Sequence, residues 1–240
     1  MHCVILAGGL GTRLGELGRT RPKTLASVGG RPFADHQLGW LASQGVDDVV
    51  YCIGHLGDQI RAFVGDGSRW GGGVRYVGEG DRCLGTGGAL RLAHDEGALA
   101  DHFFVLYGDS WLSVDLALVE QRFGVIRAPA MMTVFRNDDR LDASNVWFAA
   151  GRIVAYDKAP AADIRSRMHH IDYGLSVLRR GVVALIPACR PADLAAVLSA
   201  LATRGELAAY EAADRFFEIG TEASLAELDA VLSARDGARS

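Results

Sequence analysis

Arg13 and Lys23 stand close behind the glycine run Ala7-Gly8-Gly9-Leu10-Gly11-Thr12, and that combination suits a phosphate cradle. Glycines let backbone N–H groups approach phosphate oxygens without interference from a Cβ. Arg13 can grip a phosphate through two parallel N–H groups, whereas Lys23 supplies a compact point charge. Farther along, Asp109 in Gly108-Asp109-Ser110 and Glu218 in Phe216-Phe217-Glu218-Ile219-Gly220 offer hard oxygen ligands. One or two such carboxylates suffice for magnesium, which completes its shell with substrate phosphate and water. Lys158, in Tyr156-Asp157-Lys158-Ala159-Pro160, could hold a second phosphate, one that attacks. Each residue also has a plainer reading: a tight turn for the glycines, a turn cap for Asp109, a water-facing edge charge for Glu218, a solvated lysine for Lys158. The apolar setting of Glu218 predicts a buried carboxylate, whose cost a metal would relieve.

The commoner nucleotide motifs do not fit. The Gly-Lys-Ser/Thr ending of a P-loop is missing, and Leu14 stands where the dinucleotide fingerprint places its third glycine. The strand near Val49 to Ile53 runs into Gly54-His55, with no acid for a ribose, so hydride transfer starts weak.

The elements that must position these residues follow from periodicity. Strands are predicted at His2 to Ala7, Val49 to Ile53, Val74 to Val77 and Phe103 to Tyr107. Helices are predicted near Phe33 to Gln44, Asp58 to Val64 and Gly88 to His94. Such alternation predicts an α/β fold, a Rossmann-like, doubly wound, mostly parallel sheet with helices on both faces. Ligands of such sheets gather at the carboxyl ends of strands, and Gly8 and Asp109 both lie just past strand ends. The second half changes character, with strands expected at Met131 to Arg136, Val146 to Ala149, Ile153 to Tyr156 and His170 to Leu178, forming a small β subregion over the substrate. Leu194, Leu198 and Leu201, then Leu225, Leu228 and Leu232, mark two closing helices whose leucines are core. Neither Gly71-Gly72-Gly73 nor Pro160 to Arg167 is long enough for a linker, so residues 1–240 are expected to form a single domain.

The 240 residues carry a net charge of -4, with 49% hydrophobic and 22% charged side chains. This is ordinary globular composition, with no general attraction to nucleic acid or an anionic membrane. Phosphate-binding cations must therefore be local. Cys3, Cys52, Cys83 and Cys189 lack CxxC spacing and suggest neither a disulfide framework nor a zinc site. No leader or spanning segment is evident, and a reducing cytoplasm is the expected compartment. His169 and His170 are strand neighbours on opposite faces and cannot chelate one ion from there.

The ordered set ILAGGLGTRL at 5–14, RPKTL at 21–25, EGDRCLGTGGAL at 79–90, LYGDS at 106–110, YDKAP at 156–160, IDYGLSVL at 171–178 and FFEIGT at 216–221 resembles the sugar-1-phosphate nucleotidyltransferase family. The likeness spans essentially the whole chain and is nearest in flavour to D-glycero-D-manno-heptose-1-phosphate guanylyltransferases. It implies a nucleotidyltransferase fold related to the glycosyltransferase-A sheet. The implied reaction is attack by the phosphate of a sugar 1-phosphate on the α-phosphorus of a nucleoside triphosphate, with Mg2+, giving an NDP-sugar and pyrophosphate.

By motif, Leu6, Ala7, Gly8, Gly9, Gly11 and Thr12 would form the nucleotide loop, and Arg13 would stabilise charge as pyrophosphate departs. Lys23 would neutralise the α-phosphate side, Asp109 and Glu218 would hold magnesium, and Lys158 would orient the sugar phosphate. Glu79, Gly85 and Thr86 fall on the base-reading segment, where a glutamate could accept the N1–H and N2–H of guanine. Asn145, Asp172 and Tyr173 fall in the region facing the sugar.

Two departures bear on this. Family members commonly carry Asp where this chain has Glu218, and many have Asn-Ala-Gly where it has Asp172-Tyr173-Gly174. GTP and heptose 1-phosphate are favoured. Uridylyl or cytidylyl transfer to another sugar or alcohol phosphate stays open, as do an inactive nucleotide-binding regulator and a homo-oligomer. A metal-dependent glycosyltransferase would need a DxD-like pair, and Asp109-Ser110-Trp111 supplies one carboxylate. The implied compact form has no C-terminal acyltransferase or β-helix.

Overall fold

The computed structural model describes residues 1–9, 11, 15–80 and 82–237. In chain order, the first part contains β1 (His2–Ala7), α1 (Gly15–Thr20), β2 (Ser27–Val28), β3 (Arg31–Pro32), α2 (Phe33–Ser43), β4 (Asp48–Ile53), α3 (Gly57–Val64) and β5 (Gly73–Gly78). Next come α4 (Gly85–Asp95), β6 (His102–Tyr107), β7 (Ser110–Trp111), α5 (Leu116–Gly124), β8 (Ala130–Arg136), β9 (Val146–Ala149) and β10 (Arg152–Tyr156). The last are α6 (Ala162–Arg165), β11 (His170–Arg179), α7 (Arg180–Val183), α8 (Leu194–Thr203), β12 (Leu207–Ala212), β13 (Phe217–Glu218) and α9 (Glu222–Gly237). Among the described residues, no helix is long and apolar enough to cross a membrane.

The chain folds into two compact units. One comprises Met1–Cys83, Tyr107–Trp111 and Phe216–Ser240, the other Leu84–Leu106 and Leu112–Arg215. In the first unit β5, β4 and β1 pair in parallel, with Val4 opposite Val50 and Val50 opposite Arg75. Strands β1 and β4 are apolar and buried along nearly their whole length, as strands covered on both faces must be. A second packing centre joins Ala26, Val28, Phe33, Trp111 and Ile219 to Leu228 and Leu232 of α9, whose leucine spacing turns one stripe inward.

The second unit overturns the expected fold class, because its sheet is not open, doubly wound and mostly parallel. Strand β11 pairs antiparallel with β6, β8 and β9, and β9 pairs antiparallel with β10. Strand β12 runs parallel to β8 and antiparallel to β10. The order β11-β8-β12-β10-β9 thus returns to β11 through His170 opposite Val146, closing a five-stranded mixed barrel with β6 as an added strand. Closure removes the exposed edges that a flat sheet of these strands would leave.

The decisive strand was invisible to propensity. Leu-Ala-Ala-Tyr-Glu-Ala is alanine-rich, and alanine is depleted in strands. Without β12 the strands of the second half read as a small meander. With it, β8 gains a parallel neighbour and β10 gains an edge to close on.

Candidate active site

In the first unit the site is built around the turn after β6. Gly108 N–H donates to the Leu6 carbonyl at 2.9 Å, fastening the turn to the end of β1. A Cβ on Gly108 would lie 3.0 Å from Ala7 Cβ and 3.1 Å from Leu6 O, so any larger residue would crowd the end of β1. The next residue, Asp109, receives Lys23 Nζ on Oδ2 at 3.2 Å. Lys23 and Asp109 are 16% and 25% exposed, so much of the pair is shielded from solvent. Two catalytic candidates far apart in sequence are thereby joined.

Glu218 arrives by strand pairing. β13 lies antiparallel to β7 with Glu218 opposite Ser110, and Ile219 N–H donates to the Asp109 carbonyl at 2.9 Å. The two carboxylates are thus one register step apart. Glu218 is exposed, matching the water-facing edge charge and not the buried carboxylate of the two sequence readings; its neighbours Phe216 and Ile219 take the core positions. The donor chemistry suits a magnesium ion: Asp109 and Glu218 are hard oxygen donors on neighbouring stretches of backbone, and one or two carboxylates leave the remaining coordination to phosphate and water. Among the described residues there is no cluster of three or more His, Cys, Asp or Glu that would build an all-protein cage.

The glycine loop shows a second use for its missing side chains. Glu79, just past β5, is 6% exposed. A Cβ on either Gly8 or Gly54 would fall 2.5 Å from Glu79 Oε1, so both glycines make room for that carboxylate. Gly11 has a φ of +66°, and a Cβ on Gly18 would run into the Gly11 carbonyl, which makes Gly18 a partner of the loop that sequence reasoning missed. Gly9 has open space around its Cβ position. Leu6 is buried and Ala7 half-buried at the end of β1. Thr12 and Arg13 lie outside the described residues.

The second unit carries the remaining candidates in two groups. Lys158 Nζ donates to Asp193 Oδ2 at 3.0 Å, and Thr86 Oγ1 donates to Asp193 Oδ1 at 2.9 Å. Thr86 Oγ1 in turn accepts from Leu194 N–H at 2.9 Å. Asp193 caps α8 by accepting from Ala195 N–H at 3.0 Å. Burial pushes its carboxyl up, but the Ala195 N–H, Lys158 and Thr86 together outweigh that and hold it below the usual range. Gly85 opens α4 at a φ of +71°, where a Cβ would lie 2.8 Å from the Ala192 carbonyl. That carbonyl accepts from Gly87 and Gly88. Sequence reasoning passed over Asp193, although an aspartate directly before a leucine-periodic run is a helix-start signal.

The other group surrounds Asp172. Its carboxylate accepts from Tyr156 OH at 2.9 Å and from Gly174 N–H at 3.0 Å, while its own N–H donates to Asn145 Oδ1 at 2.9 Å. Burial raises the carboxyl above its ordinary range despite the lowering effect of Gly174, Tyr156 and Lys158. Tyr173 is fully buried, and its hydroxyl accepts from Ser113 N–H at 3.1 Å.

Comparison with known proteins follows the same lines. The profile of the MobA-like NTP transferase domain matches residues 3–236. The chain is 30% identical to mannose-1-phosphate guanylyltransferase of Mycobacterium tuberculosis over 229 residues, covering 92% of this chain and 61% of that protein. It is 32% identical to D-glycero-alpha-D-manno-heptose 1-phosphate guanylyltransferase of Aneurinibacillus thermoaerophilus over 123 residues, 51% of this chain and 52% of that one. A shorter match, 41% over 110 residues and 45% of this chain, is to CMP-5'-(3-aminopropyl)phosphonate synthase of Streptomyces rubellomurinus. The chain spans 17% of that protein, 53% of a UTP–glucose-1-phosphate uridylyltransferase of Synechocystis and 45% of a glucose-1-phosphate thymidylyltransferase of Streptomyces antibioticus. The fold matches a crystal structure from Bacillus anthracis, described as a putative glucose-1-phosphate thymidylyltransferase, with a TM-score of 0.84 at 24% identity, over 97% of this chain and 95% of that one. With nearly its full length matched, the chain belongs to the MobA-like NTP transferase family, in keeping with its resemblance to the sugar-1-phosphate nucleotidyltransferases.

Proposed function

We propose that residues 1–240 form a single nucleotidyltransferase domain that moves a nucleoside monophosphate from an NTP to a sugar 1-phosphate. A phosphate oxygen of the sugar phosphate attacks the α-phosphorus, the bond from the α-phosphorus to its bridging oxygen breaks, and pyrophosphate leaves with the electron pair. The acceptor is already anionic, so no general base is required, and catalysis is alignment plus charge stabilisation. The observation that carries the reading is the shielded Lys23–Asp109 pair, held at 3.2 Å on a glycine turn fastened to the end of β1.

Leu6, Ala7, Gly8, Gly9, Gly11 and Thr12 cradle the nucleotide phosphates, with Arg13 on the departing pyrophosphate and Lys23 on the α-phosphate. Asp109 and Glu218 are the candidate ligands of Mg2+, whose contribution when bound is to neutralise phosphate charge. Glu79, Gly85 and Thr86 serve the nucleotide. Asn145, Lys158 and Asp172 serve the sugar phosphate, whereas Tyr173, fully buried with its hydroxyl accepting from Ser113 N–H, is a core residue rather than a sugar contact.

GTP as donor is supported by the 30% identity to a mannose-1-phosphate guanylyltransferase across 92% of the chain. Heptose 1-phosphate as acceptor is supported by the 32% identity to a heptose 1-phosphate guanylyltransferase across half of it. The second reading, transfer from CTP to a non-sugar acceptor, draws on the relative named CMP-5'-(3-aminopropyl)phosphonate synthase. The test is pyrophosphate release over a panel of triphosphates, sugar 1-phosphates and alkyl phosphonates with Mg2+. GTP with a manno-configured sugar 1-phosphate is expected to be fastest. A preference for CTP with a phosphonate would favour the second reading, and no release with any pair would overturn the enzyme assignment in favour of a nucleotide-binding regulator.

A further inference from the structure

Gln37 on α2 has no motif around it and was not among the candidate residues, yet it reaches the turn that carries Asp109. Its side chain is fully buried. The amide Nε2 donates to the Tyr107 carbonyl at 3.0 Å and to the Ser110 carbonyl at 3.0 Å, so one nitrogen holds both ends of the four-residue turn. Inside that clamp, Gly108 N–H is taken by Leu6 O and Asp109 O by Ile219 N–H. Main-chain groups of all four residues are therefore tied down, while the Asp109 carboxylate projects toward Lys23.

The other end of the same amide argues that this contact is what the residue is there for. Gln37 Oε1 is buried without a hydrogen-bond partner among the described residues. An orphaned buried acceptor costs free energy, and an apolar residue of the same size would avoid it. The two donated bonds must offset that cost. Lysine lacks the planar geometry, glutamate would set a carboxylate against two carbonyls, and asparagine is one methylene short.

We propose that Gln37 is a positioning residue for the metal-ligating carboxylate, fixing the Tyr107–Ser110 turn so that Asp109 meets the cation in one geometry. The proposal rests on the reading of Asp109 as a magnesium ligand given above. A preorganised ligand binds without first being ordered, so loosening the turn weakens metal binding while every ligand is still present.

The experiment titrates Mn2+, as a paramagnetic stand-in for magnesium, into wild type, Gln37→Met and Asp109→Asn, following free Mn2+ by electron paramagnetic resonance with no substrate present. Amide exchange at Ile219 is measured alongside. Methionine keeps the volume and removes the donors. Gln37→Met is expected to weaken Mn2+ at least about fivefold and to speed Ile219 exchange about tenfold, leaving the β1 amides unchanged. Loss of binding in Asp109→Asn together with wild-type affinity in Gln37→Met would overturn the proposal and leave the Asp109 assignment standing. Equal affinity in all three would remove Asp109 as a ligand, and the proposal with it. If Gln37→Met does not fold, Gln37→Asn, which keeps an amide that cannot reach, is read by the same two outcomes.

Discussion

The two units each hold a lysine–carboxylate pair at nearly the same separation, 3.2 Å for Lys23–Asp109 and 3.0 Å for Lys158–Asp193. Their surroundings differ. The first pair is 16% and 25% exposed, the second 56% and 52%. Coulomb attraction scales inversely with the effective dielectric, so equal distances do not mean equal energies. In the first unit the pair is a fixed part of the fold, and the turn beneath it is tied to β1, α2 and β13. In the second, Lys158 is a solvent-facing side chain whose pairing with Asp193 is worth little, so the proposed move of its ammonium to a phosphate would cost little. One lysine is built in and the other is exposed, a difference that fits the proposed roles of Lys23 at the donor phosphate and Lys158 at the acceptor.

This contrast can be broken by substitution. Asp109→Asn is expected to lower turnover at least about a hundredfold, measured as pyrophosphate release at saturating substrates, because it removes the carboxylate proposed to hold the Mg2+ that neutralises the reacting phosphates. A near-normal rate would put the first pair on the same footing as the second. Lys23→Met leaves the partly shielded Asp109 carboxylate without its cation and should cost about 1–3 kcal/mol in urea unfolding, with little relief from added salt.

Asp172 tests burial without a lysine in direct contact. Its folded-state pKa is raised by burial, so the folded protein holds the proton more tightly and loses stability as pH rises from the unfolded value near 3.8 through the folded one. Asp172→Asn should therefore gain stability relative to wild type across that window and hold a constant difference above it, as read from urea midpoints at stepped pH. A flat difference would mean that Asp172 is not penalised by its surroundings. The smallest effect is reserved for Asp193→Asn, expected to raise the KM for sugar 1-phosphate by less than about fivefold, with the difference fading at high salt as exposed pairs do. A loss as large as that of Asp109→Asn would show that the second pair is as fixed as the first.

Much of this was readable from the chain. The strand His2–Ala7 has the bounds that periodicity set, and β4, β5, α2 and α3 agree to within a residue or so. The leucines of α8 and α9 point inward, with Leu194, Leu198, Leu201, Leu228 and Leu232 all buried. His169, just before β11, is exposed, and His170, its first residue, is buried. What failed did so for physical reasons. β12 is alanine-rich and carries little strand propensity, so its pairing comes from the neighbours it finds in the barrel. Glu218 sits among apolar residues in sequence, but around a two-residue strand Phe216 and Ile219 take the core and the carboxylate stays out.

The sequence by itself determined which chemical groups are present and in what order, because glycines after a strand, a cation at a short offset and acids at strand ends are local patterns. It also determined which helix faces are apolar. Only the tertiary structure decided that Lys23 meets Asp109 across 86 residues, that Gly8 and Gly54 give space to Glu79, that Gln37 holds the Asp109 turn, and that the second-half sheet closes. Those outcomes depend on contacts between residues far apart in the chain, whose burial, register and spacing exist only once the strands have paired, and no local pattern encodes a partner that distant.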